Sequence, residues 1–179
     1  MEQPVVLVLA SGRGDRFVAS GGRGSKLQAL LGGKPVLQHT LDAVRASGLP
    51  WHLEDAGHPG MGDSIAAGVQ ATRGAAGWLV LPGDLPLVQP ASLLRIAAAL
   101  QQHRVVVPTW RGERGHPVGF ASECRNELMA LEGAQGAARL VQAEAAGGRV
   151  LKLALDDRGI CTDIDTLADL AAAEKLLAS

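Results

Sequence analysis

The sequence predicts a three-layer α/β domain, with a mostly parallel sheet and helices on both faces. Three observations carry that expectation. Residues 5–10 are six consecutive apolar residues, the mark of a strand covered on both faces. Residues 77–81 and 104–109 repeat that pattern further along the chain. Segments with apolar residues at helical spacing alternate with these strands, and such alternation builds a parallel sheet. Ligands of such sheets sit beyond the carboxyl ends of the strands.

The elements follow in order. The first strand empties into Ser11-Gly12-Arg13-Gly14-Asp15-Arg16 and a Gly/Ser-rich segment ending at Lys26. Leu37, Leu41 and Val44 share a helix face, with Pro35 suited to its first turn and Gly48 to its C-terminal cap. Residues 51–54 make a short strand, and Asp63 or Ser64 caps an Ala-rich helix through Ile65 and Val69. The strand at 77–81 closes on Pro82-Gly83-Asp84-Leu85-Pro86, and 92–102 form an amphipathic helix. After the strand at 104–109 come a polar hairpin-like segment, a short strand at 117–120, and a helix capped by Ser122 through Cys124, Leu128 and Leu131. Residues 137–146 read as helix, 149–155 as strand, 156–159 as turn and 160–164 as a short strand. Thr166 opens the last helix, with Asp169 at the capping-box offset. No linker or repeat interrupts 1–179, which reads as one domain.

Composition narrows the function classes. Aromatics are 3% with no Tyr, a poor basis for stacking single-stranded nucleic acid, and the net charge of −1 argues against a broad nucleic-acid or membrane-surface role. No segment approaches the roughly 20 apolar residues of a membrane span. The N-terminus shows no basic region or cleavage site, so the cytoplasm is the expected location. Cys124 and Cys161 fit no metal or redox spacing and read as small buried hydrophobes of a reducing compartment.

The glycine turn after the first strand is suited to phosphates, because backbone N–H groups approach an anion where no Cβ intervenes. Arg13, Arg16 and Lys26 supply positive charge. Phe17 stands where a dinucleotide fingerprint needs glycine, and Gly24-Ser25-Lys26-Leu27 lacks the P-loop order, so both motifs are excluded. Asp84, held in a Pro/Gly turn at a strand end, suits a hard cation such as Mg²⁺. Asp163 and Asp165 fall on one side if their strand persists, although capping of the last helix is an alternative role. Gly60-Met61-Gly62-Asp63-Ser64 presents N–H groups at a helix start, fit for ribose or phosphate. His116, in Arg114-Gly115-His116-Pro117, offers a base or an anion contact. His39, His52, His58 and His103 show no ligand spacing and receive no role.

Several of these motifs, in this order, resemble the MobA/MocA-like nucleotidyltransferases, which attach CMP or GMP to molybdopterin. The matching segments are Leu9-Ala10-Ser11-Gly12 with Arg16, Lys26-Leu27, Gly60-Met61-Gly62-Asp63-Ser64, Leu81-Pro82-Gly83-Asp84-Leu85-Pro86, Arg114-Gly115-His116-Pro117-Val118, and Asp163-Ile164-Asp165-Thr166 with Asp169-Leu170. Against the family pattern, residues 18–25 contain an insertion, and 48–60 are too short for a further strand-helix unit. Gly133-Ala134-Gln135-Gly136 lacks the acid that the family carries there.

The resemblance implies a Rossmann-like fold of the nucleotide-diphospho-sugar-transferase type and a Mg²⁺-dependent transfer of a nucleotide from a nucleoside triphosphate. CTP is favoured over GTP, and the acceptor is a phosphorylated compound, plausibly molybdopterin. Arg16, Lys26 and Asp84 are the expected catalytic residues, with Asp84 and Asp165 as metal ligands and Asp163 in reserve. Leu9, Ala10, Ser11, Gly12, Gly62, Asp63 and Ser64 would meet the nucleotide, and Gly115, His116 and Pro117 the acceptor. The inserted 18–25 segment is expected to be mobile, so that Lys26 reaches the phosphates only when nucleotide is bound. The alternatives are a non-catalytic carrier of the cofactor, partnering a molybdoenzyme or its maturation factor, and a sugar-phosphate nucleotidyltransferase of the same fold.

Overall fold

A computed structural model describes residues 2–12 and 14–179, so Arg13 lies outside the described residues. In chain order the elements begin with β1 (Val5–Leu9), α1 (Asp15–Ala19), the hairpin pair β2 (Leu30–Leu31) and β3 (Lys34–Pro35), and α2 (Val36–Ser47). β4 (Trp51–Glu54), α3 (Met61–Ala71), β5 (Gly77–Pro82), α4 (Pro90–Ala99) and β6 (Val105–Trp110) follow. Then come β7 (Glu113–Arg114), β8 (Val118–Ala121), α5 (Arg125–Met129), α6 (Ala138–Ala146), β9 (Val150–Ala154) and α7 (Leu167–Ala178). Short 3₁₀ turns lie at Lys26–Gln28, Ser122–Cys124 and Arg158–Cys161.

The main sheet runs β4-β1-β5-β8-β6-β7, with β9 also on β6. β4, β1 and β5 are mutually parallel, as are β6 and β9, and β8 lies antiparallel between β5 and β6. Alternation along the strands divides the core between the two faces. Val6, Val8, Leu79 and Leu81 pack with Leu41 and Val44 of α2 and Leu93 and Ile96 of α4. Leu7, Leu9, Trp78 and Val80 pack with Ile65 and Val69 of α3, Leu128 of α5 and Val141 of α6. This is the three-layer, mostly parallel arrangement expected. A third cluster, with Leu27, Leu31, Val36, Ile164 and Ala173, joins α7 to the loops beyond the strand ends.

β7 and β8 lie along one edge of β6 and are separated by a bulge. Arg114 pairs with Thr109 and Gly119 with Val106, so five steps on one side oppose three on the other. The two extra residues push Gly115-His116-Pro117 out of the ladder, as bulges re-aim a side chain. Gly115 N–H donates to Pro108 O at 2.9 Å and His116 N–H to Ile160 O at 2.9 Å, which fixes the bulge.

Several local expectations are corrected. Residues 160–164 do not form a strand. Their backbone groups serve separate partners, with Ile160 O bound by His116 and Ile164 N–H by Asp84 O. Asp157 closes the 3₁₀ turn there by accepting from Gly159 N–H. Neither Asp63 nor Ser64 caps α3, which starts at Met61 after Gly60. α4 starts at Pro90, two residues before Ser92, because proline suits the first helical position. Ser122 opens a 3₁₀ turn rather than the helix itself. Cys124 is buried, whereas Cys161 is only half-buried.

Asp157 links the end of the sheet to α4. It is 3% exposed, and its carboxylate accepts from Gln89 N–H at 3.0 Å, Ser92 Oγ at 2.7 Å and Gly159 N–H at 2.8 Å. Removing it strands three donors. Asp157→Ala is expected to cost about 3 kcal/mol, lowering the melting temperature by roughly 6–12 °C in a chain of this size. A melting temperature within 2 °C of wild type, by calorimetry at about that precision, would show that these bonds carry no stability.

Candidate active site

The site forms where β1 and β5 end. Ala10 N–H donates to Glu54 O at 2.9 Å and Gly83 N–H to Leu9 O at 2.8 Å, so the glycine turn leaves the sheet between two braced strands. Thr40, fully buried in α2, donates from Oγ1 to Gly83 O at 2.8 Å and stiffens the turn that carries Asp84. Ile164 N–H donates to Asp84 O at 3.0 Å, and the Ile164 side chain is fully buried. Pinned at its centre, the segment places Asp163 and Asp165 on either side of Asp84. Oxygens of the three carboxylates lie within 4.8 Å of one another. The residues expected from strand alternation do converge, but through one anchored residue in an irregular segment.

Lys26 lies among these acids. Its Nζ donates to Asp84 Oδ2 at 2.8 Å and Asp165 Oδ1 at 3.0 Å, while Arg16 Nη1 meets Asp165 Oδ2 at 2.8 Å from an otherwise exposed position. Burial works against the charge on Lys26, but Asp84 and Asp165 outweigh it and hold the ammonium pKa above its ordinary value. The hydrogen bond from Lys26 is the main reason the Asp165 carboxyl lies below the usual range, with Arg16 assisting. Asp163, exposed but bonded to no cation among the described residues, is pushed up by loss of bulk water beside the protein and by the neighbouring charges of Asp84, Asp165 and Asp169. Three hard oxygen donors, one of them uncompensated, suit a divalent cation.

The inserted segment is largely exposed, with Val18 54% accessible, but is anchored by the buried residue before it and by two hydrogen bonds. Phe17 is 2% exposed, Gly22 N–H donates to Phe17 O at 2.9 Å, and Ser20 Oγ accepts from Leu167 N–H at 3.0 Å at the start of α7. Lys26 follows this segment, and its Nζ reaches two of the carboxylates.

A cavity of about 260 Å³ is lined by Lys26, Asp84, Leu9, Ser11, Gly12, Ser64, His58 and Met61 among others. That is at the small end for ligand sites, enough to enclose part of a nucleotide while the rest extends over the acids. Ser11 and Ser64 meet at 2.7 Å between their Oγ atoms. Ala10 flanks this lining and supports the turn through its backbone. Gly62 and Asp63 face away from the cavity, toward the loop after α5. Gly62 N–H donates to Gly133 O at 2.8 Å, and Asp63 accepts from Gly133 N–H at 3.1 Å. A Cβ on Gly62 would come within 2.8 Å of Glu132 backbone, so only glycine permits this approach. The result is to bring Ala134 into the cavity wall.

Gly115, His116 and Pro117 stand apart on their bulge. The His116 ring is open to solvent in a recess of the protein. Loss of bulk water there disfavours its charged form and lowers its pKa, while Asp84 pulls the other way. His58 was given no role from the sequence, yet it lines the cavity. Its only signal is its place in the short segment before Gly60.

A second cavity, of about 250 Å³, adjoins Asp163 and includes Trp110, Arg158 and Cys161. Arg111 and Arg158 lie 4.8 and 5.6 Å from the Trp110 ring centre. Among the described residues, no helix is long and apolar enough to cross a membrane.

Residues 43–150 match the MobA-like NTP transferase domain, a stretch that includes Gly60–Ser64 by number 60–64, Asp84 and the His116 bulge. The chain is 28% identical to the bifunctional enzyme IspD/IspF of Rhodospirillum rubrum, over 98% of this chain and 57% of that protein. It is 32% identical to the 2-C-methyl-D-erythritol 4-phosphate cytidylyltransferase of Cereibacter sphaeroides, over 63% and 64%. It thus spans less than two thirds of the length of these relatives.

Among solved structures, a nucleotidyl transferase from Methanothermobacter thermautotroptrophicus superposes with a TM-score of 0.81 at 21% identity, covering 98% of both chains. Rv0371c from Mycobacterium tuberculosis H37Rv gives 0.79 at 23%, covering 97% and 98%, and has also been solved in complex with manganese. Molybdopterin-guanine dinucleotide biosynthesis protein A from Archaeoglobus fulgidus gives 0.67 at 16%, covering 97% and 98%. At these identities the structural likeness is one of fold. With residues 43–150 matched and the sheet arranged as described, the chain belongs to the MobA-like NTP transferase domain family.

Proposed function

We propose that this protein transfers a nucleoside monophosphate from a nucleoside triphosphate, CTP in preference to GTP, to a phosphorylated acceptor such as molybdopterin, releasing pyrophosphate. The observation that carries this reading is the convergence of Asp84, Asp163 and Asp165 with Lys26 beside a cavity able to enclose part of a nucleotide. In the reaction, a phosphate oxygen of the acceptor attacks the α-phosphorus in line. The new P–O bond forms as the bond to the β-phosphate oxygen breaks. A phosphate nucleophile is already ionised, so positioning and charge compensation supply the catalysis and no strong base is needed. His116 accordingly has a binding role and no proton to move.

Arg16 and Lys26 would hold the triphosphate and offset charge on the departing pyrophosphate. The turn around Ser11 and Gly12, with Ser64, would bound the nucleoside. Asp84 and Asp165, with Asp163 beside them, would hold Mg²⁺ or a similar divalent ion, which supplies charge neutralisation across the phosphate oxygens. Lys26 would then give up its carboxylate partners and turn to the phosphates. On the acceptor side, Trp110 with Arg111 and Arg158 offers an aromatic face and guanidinium groups, fit for a planar ring bearing phosphate.

A second reading has its own support. Relatives that are cytidylyltransferases for 2-C-methyl-D-erythritol 4-phosphate favour CTP and point to a sugar-alcohol phosphate as acceptor. A non-catalytic carrier is less well supported, because it has little use for three converging carboxylates. Pyrophosphate release with either acceptor distinguishes all three.

Isothermal titration with CTP, GTP and ATP is expected to show binding that depends on Mg²⁺. Asp84→Ala should abolish that dependence and reduce turnover by about 10²–10³-fold. Metal-independent binding, or wild-type behaviour in Asp84→Ala, would count against the proposal. Lys26→Met separates the two roles of the lysine. Its triphosphate affinity should fall by about tenfold or more, whereas its affinity for Mn²⁺ alone should rise, because the carboxylates lose their internal cation. If Mn²⁺ binding by Lys26→Met is unchanged or weaker, the ammonium does not compete for that place.

A further inference from the structure

Across β1 from the carboxylates, at the end of β4, lie three titratable groups that the transfer chemistry does not use. Glu54 closes β4 and is 9% exposed. His58 Nε2 lies 2.8 Å from Glu54 Oε1, and His52 Nε2 lies 3.1 Å from Oε2. Burial disfavours charge on Glu54, but hydrogen bonds from His58 and His52 outweigh it, and its pKa lies below the usual carboxylate value. An ionised carboxylate only accepts hydrogen bonds, so each imidazole carries a hydrogen on the Nε2 that faces it. In a neutral ring that leaves Nδ1 as a bare acceptor.

Position then suggests use. β4 and β5 flank β1 on opposite sides, so Asp84 with Lys26 and His58 with Pro59 and Met61 line the cavity from opposite sides; with the triphosphate at Lys26, the nucleobase would extend toward His58. We infer that His58, its tautomer set by Glu54, reads the nucleobase by accepting a hydrogen bond at Nδ1 from an exocyclic amino group. Cytosine offers such a group. Uracil carries a carbonyl at the same ring position and would set acceptor against acceptor, so UTP is rejected as well as CTP favoured. His52 holds the second oxygen of Glu54 and keeps the carboxylate aligned. The inference rests on the nucleotidyltransferase reading and adds the group that selects the base.

Titration of wild type, His58→Phe and Glu54→Gln with CTP and UTP in the presence of Mg²⁺ tests it. Wild type should prefer CTP by about tenfold, the worth of one well-made hydrogen bond. His58→Phe keeps the bulk and loses the acceptor, so its ratio should fall to near one while CTP still binds. Glu54→Gln can offer an N–H to the ring and turn it to the opposite tautomer. It should lower the ratio while leaving Mn²⁺ binding at the carboxylates across β1 unchanged. In ¹⁵N spectra of the wild-type protein, His58 should show the Nε2–H tautomer, and its Nδ1 resonance should move with CTP but not with UTP.

Equal affinities for CTP and UTP in wild type, or a preference that survives in His58→Phe, would overturn the inference and leave nucleotide binding standing. Failure of wild type to bind any triphosphate would overturn the underlying nucleotide reading and this inference with it.

Discussion

One backbone hydrogen bond, from Ile164 N–H to Asp84 O, determines how the carboxylates are arranged. Ile164 is fully buried among Leu27, Leu31, Val36 and Ala173, so the segment cannot slide without exposing it. The two aspartates flanking Ile164 are thereby forced up against Asp84. At oxygen separations of up to 4.8 Å, each pair of charges repels by about 3 kcal/mol at an effective dielectric of about 20, before solvent screening. The fold must offset that repulsion. Lys26, bonded to two of the three acids, and Arg16, bonded to one, provide the offset. The site is therefore strained in charge and rigid in backbone, the combination found where a fold is built around chemistry rather than around its own stability.

The opposite side of the cavity follows from a different constraint. Only six residues, 55–60, join β4 to α3, and α3 is pressed through Gly62 onto the loop at 132–134. The connection has no slack to swing away from the strand ends. His58 and Pro59 are consequently held in the cavity wall, where a longer connection would have its own strand and helix to bury. The shortened region thus replaces an enclosing element with a few fixed side chains, and Glu54 fixes the orientation of the most polar of them.

The parts of this fold that could be read from the sequence are those set by local patterning. The six-residue apolar run announces β1, the Pro-Gly-Asp turn announces the end of β5, and Thr166 with Asp169 announces α7, whose capping box is formed in full. The core division into two faces follows from period-two alternation in β1 and β5. What could not be read depends on contacts distant along the chain. Alternation aligns Asp163 with Asp165 only if their strand persists, and it does not; the alignment comes from the bond between Ile164 N–H and Asp84 O. The bulge at Gly115-His116-Pro117 is a mismatch in register with β6; its Gly and Pro hint at a break in the ladder, but its size depends on how β6 pairs. The pairing of Glu54 with His58 involves two residue types at a spacing that suggests nothing until β4 and the following loop are folded.

Charge balance links the two sides into one sequence of events in the proposed reaction. Among the described residues three carboxylates face two bonded cations, so the cluster keeps a net negative charge of one. A divalent ion arriving alone must displace Lys26 and leave its ammonium without a partner in a half-buried place. A triphosphate arriving alone must bring several negative charges toward three more. Arriving together, each removes the obstacle to the other, because the phosphates give Lys26 new acceptors as the cation takes its carboxylates. Lys26 thereby couples the two binding events, and the base contacts near His58 decide which triphosphate gains from that coupling.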